Sequence, residues 1–538
     1  MVTNCVYVIG KLVSAVIALI LAFSSIVNLD LVFYKISLPP ASSMAQGQIL
    51  DAQNYYNQSV NWHSCLENGF FNTKYSDISY IGFSWRCAKI IAPKNWQKPN
   101  KGSIELALNI HLAKTPSQRT IIINPGGPGA SGVKFLPFAI DSLLPSEIID
   151  NFNIISFDPR GVGLSSPIEC FSNISEKDDY IYKTNYKLPE QIDSLINDQT
   201  QLAKNCQRLS GDIIDFVDTQ SVARDLDLIR ALSGEPLLNY IGFSYGSSIG
   251  EYYVSLFPKN IGKVILDGIT APNTTQNANK YIFSQAQGFS ASLKEFLKYC
   301  SDENSQALNC PFSSNIIQAQ NQISDFFSRL SVQPLDLGNG QKLTDTAAFY
   351  GVIAALYSKN SWQFLVKSLY NAITKQDPYL LMQAANLYND RENGFYKNNT
   401  IEANLVISCL DNKLDISQEK ADLDVDKYKK IAPVFYKFLI YPNLSCSGFS
   451  KSKFLQKIQF RQKTNNKIIL IASTNDPATP YKEAEETAKE MSDNAILITN
   501  NSFNHTSYNK DNKCISGYIN KYILEDKFPK DKITCFDI

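Results

Sequence analysis

Short runs of branched apolar residues bounded by turn residues recur towards both ends of this chain, and stretches with helical apolar spacing fill the middle. Ser103 to His111, Thr120 to Asn124, Asn153 to Asp158, Leu237 to Phe243 and Lys263 to Asp267 read as strands, and Lys467 to Ser473 and Ala495 to Thr499 continue the series. Runs of this kind spaced by helices predict a mostly parallel sheet covered on both faces. Val222, Leu226, Ile229 and Leu232 recur at helical spacing, so that Thr219 caps and Gly234 ends a helix. From about Thr270 to Pro433 the pattern turns helical, with Asp345 to Ser358, Trp362 to Lys375 and Pro378 to Asn393 as helices, and a closing helix lies around Ser516 to Leu524. The expected division is residues 1–28 as a leader, 29–269 as the first part of an α/β core, 270–433 as an inserted helical cap and 434–538 as the second part of the core.

The apolar stretch Leu12 to Val27 follows Lys11 and holds small residues around Ala22-Phe23-Ser24, the pattern of a secretory signal peptide. Left uncleaved, it would be an N-terminal anchor and the chain's one route to a membrane. Of 11 cysteines, Cys5 falls in this leader, and the even remainder suits an oxidising compartment. Pairing of neighbours closes short loops: Cys65–Cys87, Cys170–Cys206, Cys300–Cys310, Cys409–Cys446 and Cys514–Cys535. Export to the periplasm, cell envelope or extracellular space follows. With no Cys-x-x-Cys spacing and only 3 histidines, no zinc cluster, redox pair or cofactor is implied. The 51 basic and 51 acidic side chains cancel, so the totals point to no nucleic-acid face. At 538 residues and 44% apolar content, the chain is long enough for a sizeable core.

Asn239 to Ser248 places Ser244 between Gly242 and Gly246 where an apolar strand gives way to a helix, the Gly-x-Ser-x-Gly nucleophile elbow. A serine hydroxyl is a poor nucleophile near neutral pH and needs a base, itself held by a third group. His111 lies within an early strand and His63 precedes the sheet, whereas His505 follows the strand Ala495 to Thr499 in a polar loop. Asp476 directly follows the strand Lys467 to Ser473. The chain order Ser244, Asp476, His505 is that of α/β-hydrolases, and all three follow carboxyl ends of strands, where open α/β sheets meet their ligands. In that arrangement Asp476 accepts the Nδ1 hydrogen of His505 and fixes its tautomer.

Acyl transfer also needs donors for the oxyanion. The loop Asn124-Pro125-Gly126-Gly127-Pro128-Gly129 follows the strand at Thr120, and the backbone N–H of Gly127, with Gly126 as its rival, would act with that of Tyr245. No Gly-Lys-Ser/Thr follows this loop, which sets aside a phosphate cradle. Asp158 and Arg160, in the next turn, are expected to brace the chain beneath the glycine loop.

The glycine loop, Asp158 to Pro167, Asp218 to Gly250, Asp476-Pro477-Ala478-Thr479-Pro480 and the spaced Cys514 and Cys535 together resemble the secreted tripeptidyl aminopeptidase branch of the prolyl aminopeptidase family. The resemblance implies a serine exopeptidase with an α/β-hydrolase core and an inserted helical cap, acting on peptide substrates with a free N-terminus. It carries over Ser244, Asp476 and His505 as the triad and Gly127 and Tyr245 as backbone donors. The chain departs from the family at Phe243 before the nucleophile and at Asn504 and Thr506 beside the histidine, where glycines are usual, and Phe243 is expected to reshape the pocket. Asp411 is a candidate for holding the substrate ammonium, against a reading as an exposed cap acid. A carboxylic ester hydrolase using the same triad is the alternative, and a cell-envelope binding protein without catalysis is a third class.

Overall fold

Five apolar runs, each too short for a helix and too continuous for a surface strand, build the centre of the sheet. The computed structural model describes residues 52–65, 84–115, 117, 119–187, 190–302, 309–412, 425–440, 442–460, 462–529 and 532–536, and the leader at 1–28 lies outside them. Nine strands form one sheet: β1 (Trp85–Pro93), β2 (Ser103–His111), β3 (Thr120–Asn124), β4 (Asn153–Phe157), β5 (Leu238–Phe243), β6 (Ile261–Asp267), β7 (Ile468–Ser473), β8 (Ala495–Asn501) and β9 (Ile533–Phe536). Their spatial order is β1-β2-β4-β3-β5-β6-β7-β8-β9. The β1/β2 and β2/β4 pairs are antiparallel and the others parallel, as an α/β-hydrolase core requires.

Period-two alternation sends neighbouring side chains to opposite faces. Ile122, Tyr240, Leu266 and Leu470 meet one layer of helices, whereas Ile123, Ile241, Phe243, Ile265 and Ile471 meet the other. The second layer holds α1 (Gly132–Phe138) through Leu136, and the first holds α2 (Thr219–Leu232) through Val222, Leu226 and Ile229 and α3 (Tyr245–Leu256) through Ile249 and Tyr252. Helix α2 is capped by Asp218, which accepts the Ser221 N–H, so Thr219 is its first residue rather than its cap.

Between β6 and β7 run α4 (Ala278–Ser301), α5 (Ile316–Val332), α6 (Asp345–Leu356), α7 (Trp362–Thr374), α8 (Tyr379–Tyr388) and α9 (Thr400–Asp411). Phe289, Phe296, Phe326, Val352, Trp362 and Leu381 of α4 to α8 share a second core, which Ile181, Leu195 and Phe435 join from outside that stretch. Helix α9 differs, burying Ala403, Val406, Ile407 and Leu410 in the sheet's own core. After β7 follow α10 (Tyr481–Met491) and, beyond β8, α11 (Lys513–Glu525).

Five disulfides join Cys65–Cys87, Cys170–Cys206, Cys300–Cys310, Cys409–Cys446 and Cys514–Cys535, the neighbour-to-neighbour scheme. Among the described residues no helix is long and apolar enough to cross a membrane.

Asp158 braces the glycine loop as expected: one carboxylate oxygen accepts Ser131 Oγ and Val133 N–H, and the other accepts Leu164 N–H. Arg160 does something different. Fully buried, it pairs through Nε and Nη2 with both oxygens of Asp225 on α2 and donates to the carbonyls of Pro93, Lys94 and Phe216, locking the end of β1 to α2. Removing one partner of a buried pair leaves an uncompensated charge, so Arg160→Met is expected to cost about 3–5 kcal/mol of stability. Urea unfolding measures this, and a loss within error of zero would mean that the pair does not hold these elements together.

Candidate active site

Backbone geometry singles out Ser244 before any side chain is considered. It stands at φ 54°, ψ −125° between β5 and α3, a conformation that costs a non-glycine residue energy and persists only where its surroundings over-determine it. The surroundings do so: its N–H donates to the Asp267 carbonyl at 2.7 Å, and its carbonyl accepts Ser247 N–H at 2.8 Å. Gly242 is required by contact, since a Cβ there would lie 2.4 Å from the Gly246 carbonyl oxygen.

Asp476 leaves the end of β7 and is buried. Its Oδ1 accepts the N–H groups of Ala478 and Thr479, each at 2.8 Å, and its Oδ2 accepts the Thr479 hydroxyl at 2.9 Å. Both oxygens lie 2.9 Å from Nδ1 of His505. Asp476 and His505 are therefore brought together, with the ring held at Nδ1. The helical stretch between β6 and β7 completes the histidine's support: the Tyr357 carbonyl, just past α6, accepts the His505 N–H at 2.8 Å, and the two rings meet edge to face at 5.2 Å. Asn504 Oδ1 accepts Ser358 Oγ at 2.7 Å and Lys359 N–H at 3.2 Å.

The remaining histidines stand elsewhere. His111 is buried on β2 against Trp85, and His63 bridges to Cys87 at the start of β1.

The glycine loop packs directly on the elbow: a Cβ on Gly126, whose φ is +97°, would lie 2.4 Å from the Phe243 carbonyl oxygen. The Gly126 N–H is taken by Asn124 Oδ1 at 2.9 Å. Gly127 instead lines a pocket together with Ser244 and Tyr245. The geometry thus favours Gly127 over Gly126 as the donor facing Ser244. Other walls of the pocket are formed by Thr479, Tyr281, Tyr357 and Asp411.

Residues 432–535 match the model of a family described as TAP-like protein. The chain is 27% identical over 466 residues to Serine protease Hip1 of Mycobacterium tuberculosis, covering 84% of this chain and 87% of that one. It is 26% identical over 486 residues to Carboxylesterase B of the same species, covering 88% and 89%. It is 24% identical over 461 residues to Tripeptidyl aminopeptidase of Streptomyces lividans, covering 84% and 83%. The chain is a serine hydrolase of α/β-hydrolase fold, similar to TAP-like proteins.

In this hydrolase, Phe243 does not line the pocket. It is buried on the opposite face of β5, edge-on to Phe135 of α1 at 5.9 Å, because strand alternation turns it away from the side that Ser244 serves. Asp411 is not an exposed acid either, being only 4% accessible at the end of α9. Two residues of the site escaped the sequence reading. Thr479 sits three positions after Asp476, the spacing of a side chain that closes a turn on an Asp, which was a usable signal. Asp267, an acid ending an otherwise apolar strand, accepts the N–H groups of Ser507 and Tyr508 through Oδ2 at 2.8 and 2.7 Å.

Burial disfavours a charged His505, but the Asp476 charge, its hydrogen bond and the nearby Asp267 charge outweigh that and raise the imidazole above its ordinary value. An NMR titration of the His505 ring is expected to show a midpoint above 6.5, falling in Asp476→Asn as the pairing charge is removed. A midpoint that Asp476→Asn leaves unmoved would break the link between the two groups.

Proposed function

We propose that this hydrolase is a serine exopeptidase that cleaves peptide bonds near free N-termini, with Ser244 as nucleophile, His505 as base and Asp476 as its orienting acid. The observations that carry the reading are the strained Ser244 elbow and a histidine bound at Nδ1 by both oxygens of a buried aspartate. His505 Nε2 takes the Ser244 hydroxyl proton as Oγ bonds to the scissile carbonyl carbon. The N–H groups of Gly127 and Tyr245 receive the oxyanion. As the C–N bond breaks, His505 returns the proton to the leaving amine. Water then repeats the sequence on the acyl-enzyme, and Ser244 leaves with its proton.

Two of the three relatives described above are named as peptidases, and this supports amide over ester chemistry. Carboxylesterase B supports the second reading, hydrolysis of carboxylic esters by the same groups. In the proposed organisation the core runs through 29–269 and 434–538, with 270–433 as a cap over the pocket. Five disulfides and the apolar leader support export, with residues 1–28 removed or kept as an anchor.

A tripeptidyl or aminoacyl arylamide, its N-acetylated form and a short-chain p-nitrophenyl ester distinguish the readings. The free-amine arylamide is expected to be turned over and its acetylated form poorly so. Ser244→Ala is expected to lower kcat by roughly 10⁴–10⁶-fold and to abolish labelling by a fluorophosphonate. Ester turnover without arylamide turnover would replace the peptidase reading with the esterase one, and an unlabelled Ser244 in folded protein would end both.

A further inference from the structure

From Lys427 to Lys467 the chain carries nine lysines, one arginine and no acidic residue, although the totals for the whole sequence cancel. Elsewhere the remaining 41 basic side chains stand against all 51 acidic ones, so charge is segregated and this stretch is the positive pole. All nine lysines are exposed. Among the described residues, none of Lys429, Lys430, Lys451, Lys453, Lys457 and Lys463 forms an ion pair.

The backbone that carries these charges is fixed. Leu455 and Ile458 are buried in the sheet's core, which leaves Lys453 and Lys457 on the outside. The Phe454 carbonyl accepts Gln220 Nε2 at 3.1 Å, the Gln456 N–H donates to Gln220 Oε1 at 2.7 Å, and the Gln459 N–H donates to Ser255 Oγ at 3.0 Å. A segment without helix or strand is thereby pinned to α2 and α3.

Two further bonds place it against the wall of the pocket that Ser244 lines. The Ser452 N–H, between Lys451 and Lys453, donates at 3.3 Å to the carbonyl of Leu410, the residue before Asp411 of the pocket. Gln276, next to Thr275 of the pocket, donates at 2.8 Å to the carbonyl of Gln456, the residue before Lys457. The helix Val425–Ile431 reaches the same side, where Tyr428 meets Phe283 of α4 edge to face at 5.8 Å and leaves Lys429 and Lys430 outside. The pocket itself is lined by no lysine, arginine or histidine. A peptide whose first residues reach Ser244 must carry the rest of its length out past a wall, and charges act there within a screening length of about 8 Å.

We propose that this basic strip binds carboxylates carried downstream of the scissile bond, so that the enzyme prefers peptides whose remainder is acidic. The strip deepens the peptidase reading and rests on it for the substrate class. A membrane surface fits less well, because Phe454 is the one large apolar side chain that the described part of the strip exposes.

Two peptides sharing an N-terminal half, one continuing in Asp and Glu and the other in Asn and Gln, separate charge from length. Fluorescence anisotropy of these peptides, dye-labelled at the C-terminus, on Ser244→Ala protein reads binding without turnover. The acidic peptide is expected to bind about tenfold more tightly at low ionic strength, and the margin to close in about 1 M salt, where the screening length is about 3 Å. In the active protein kcat/KM is expected to follow the same order. Lys451→Glu, Lys453→Glu and Lys457→Glu together are expected to reverse the preference in favour of a peptide continuing in Lys, a gain that no folding defect produces. Equal affinities for the acidic and neutral peptides at low ionic strength, or an acidic preference that the triple variant keeps, would overturn the proposal. Equal peptide affinities together with capture of the unmodified protein, but not the variant, by phosphatidylglycerol vesicles would assign the strip to a membrane instead. Failure of the peptidase reading is seen separately, as absent arylamide turnover or absent Ser244 labelling.

Discussion

Asp267, at the carboxyl end of β6, holds the nucleophile and the histidine in one frame. Its main-chain carbonyl accepts the Ser244 N–H, and its side chain accepts the N–H groups of Ser507 and Tyr508, just past His505. Strand order makes this possible, because β6 lies between β5, which delivers Ser244, and β7, which delivers Asp476. Hydrogen bonds to a charged acceptor are worth roughly 1.5–3 kcal/mol each, and they add to the burial of Tyr508 in fixing this loop. Burial nevertheless dominates and lifts the Asp267 carboxyl to about 7, the two backbone N–H groups opposing it. Oδ1 has no hydrogen-bond partner, so a proton can reside there while Oδ2 keeps both loop contacts. The frame therefore survives a change of charge that alters the field at the imidazole.

Rigidity is unevenly shared among the three candidate residues. Ser244 is fixed by backbone alone, and Asp476 by a turn closed on itself through Ala478 and Thr479. His505 depends on three separate parts of the chain: Asp476 at its ring, Asp267 at the residues after it, and Tyr357 at its own N–H. A disturbance in the helical stretch between β6 and β7 reaches the proposed base without touching the nucleophile.

How much of this was legible in the sequence follows from the range of the interactions. The strands at 120, 153, 238 and 468 stood out because both their faces are buried, which writes a continuous apolar run. β1 escaped notice because it is an edge strand whose run is broken by Arg86 and by Lys89, paired across to Glu105 on β2. The order of Ser244, Asp476 and His505 was readable because each follows a strand end, and Asp476 meets His505 as that order demands. Arg160 and Phe243 could be placed in the chain but not aimed: one reaches α2 rather than the glycine loop, and the other points under the sheet. Contacts of Asp411 with Thr219, and of Asn504 with Ser358, join positions more than a hundred residues apart, and nothing in local pattern encodes them.

The two departures beside the histidine acquire a common meaning from the same geometry. Thr506 holds φ at +64°, a left-handed conformation that glycine adopts freely and a β-branched residue adopts at a cost of order 1–3 kcal/mol. Such strain persists only under external restraint, and here Asp476 Oδ2 takes the Thr506 N–H at 3.4 Å while Asn504 is gripped by Ser358 and Lys359. A glycine at 506 would adopt this backbone without that strain. With Asn504 and Thr506 its shape is held in part by the segment after α6.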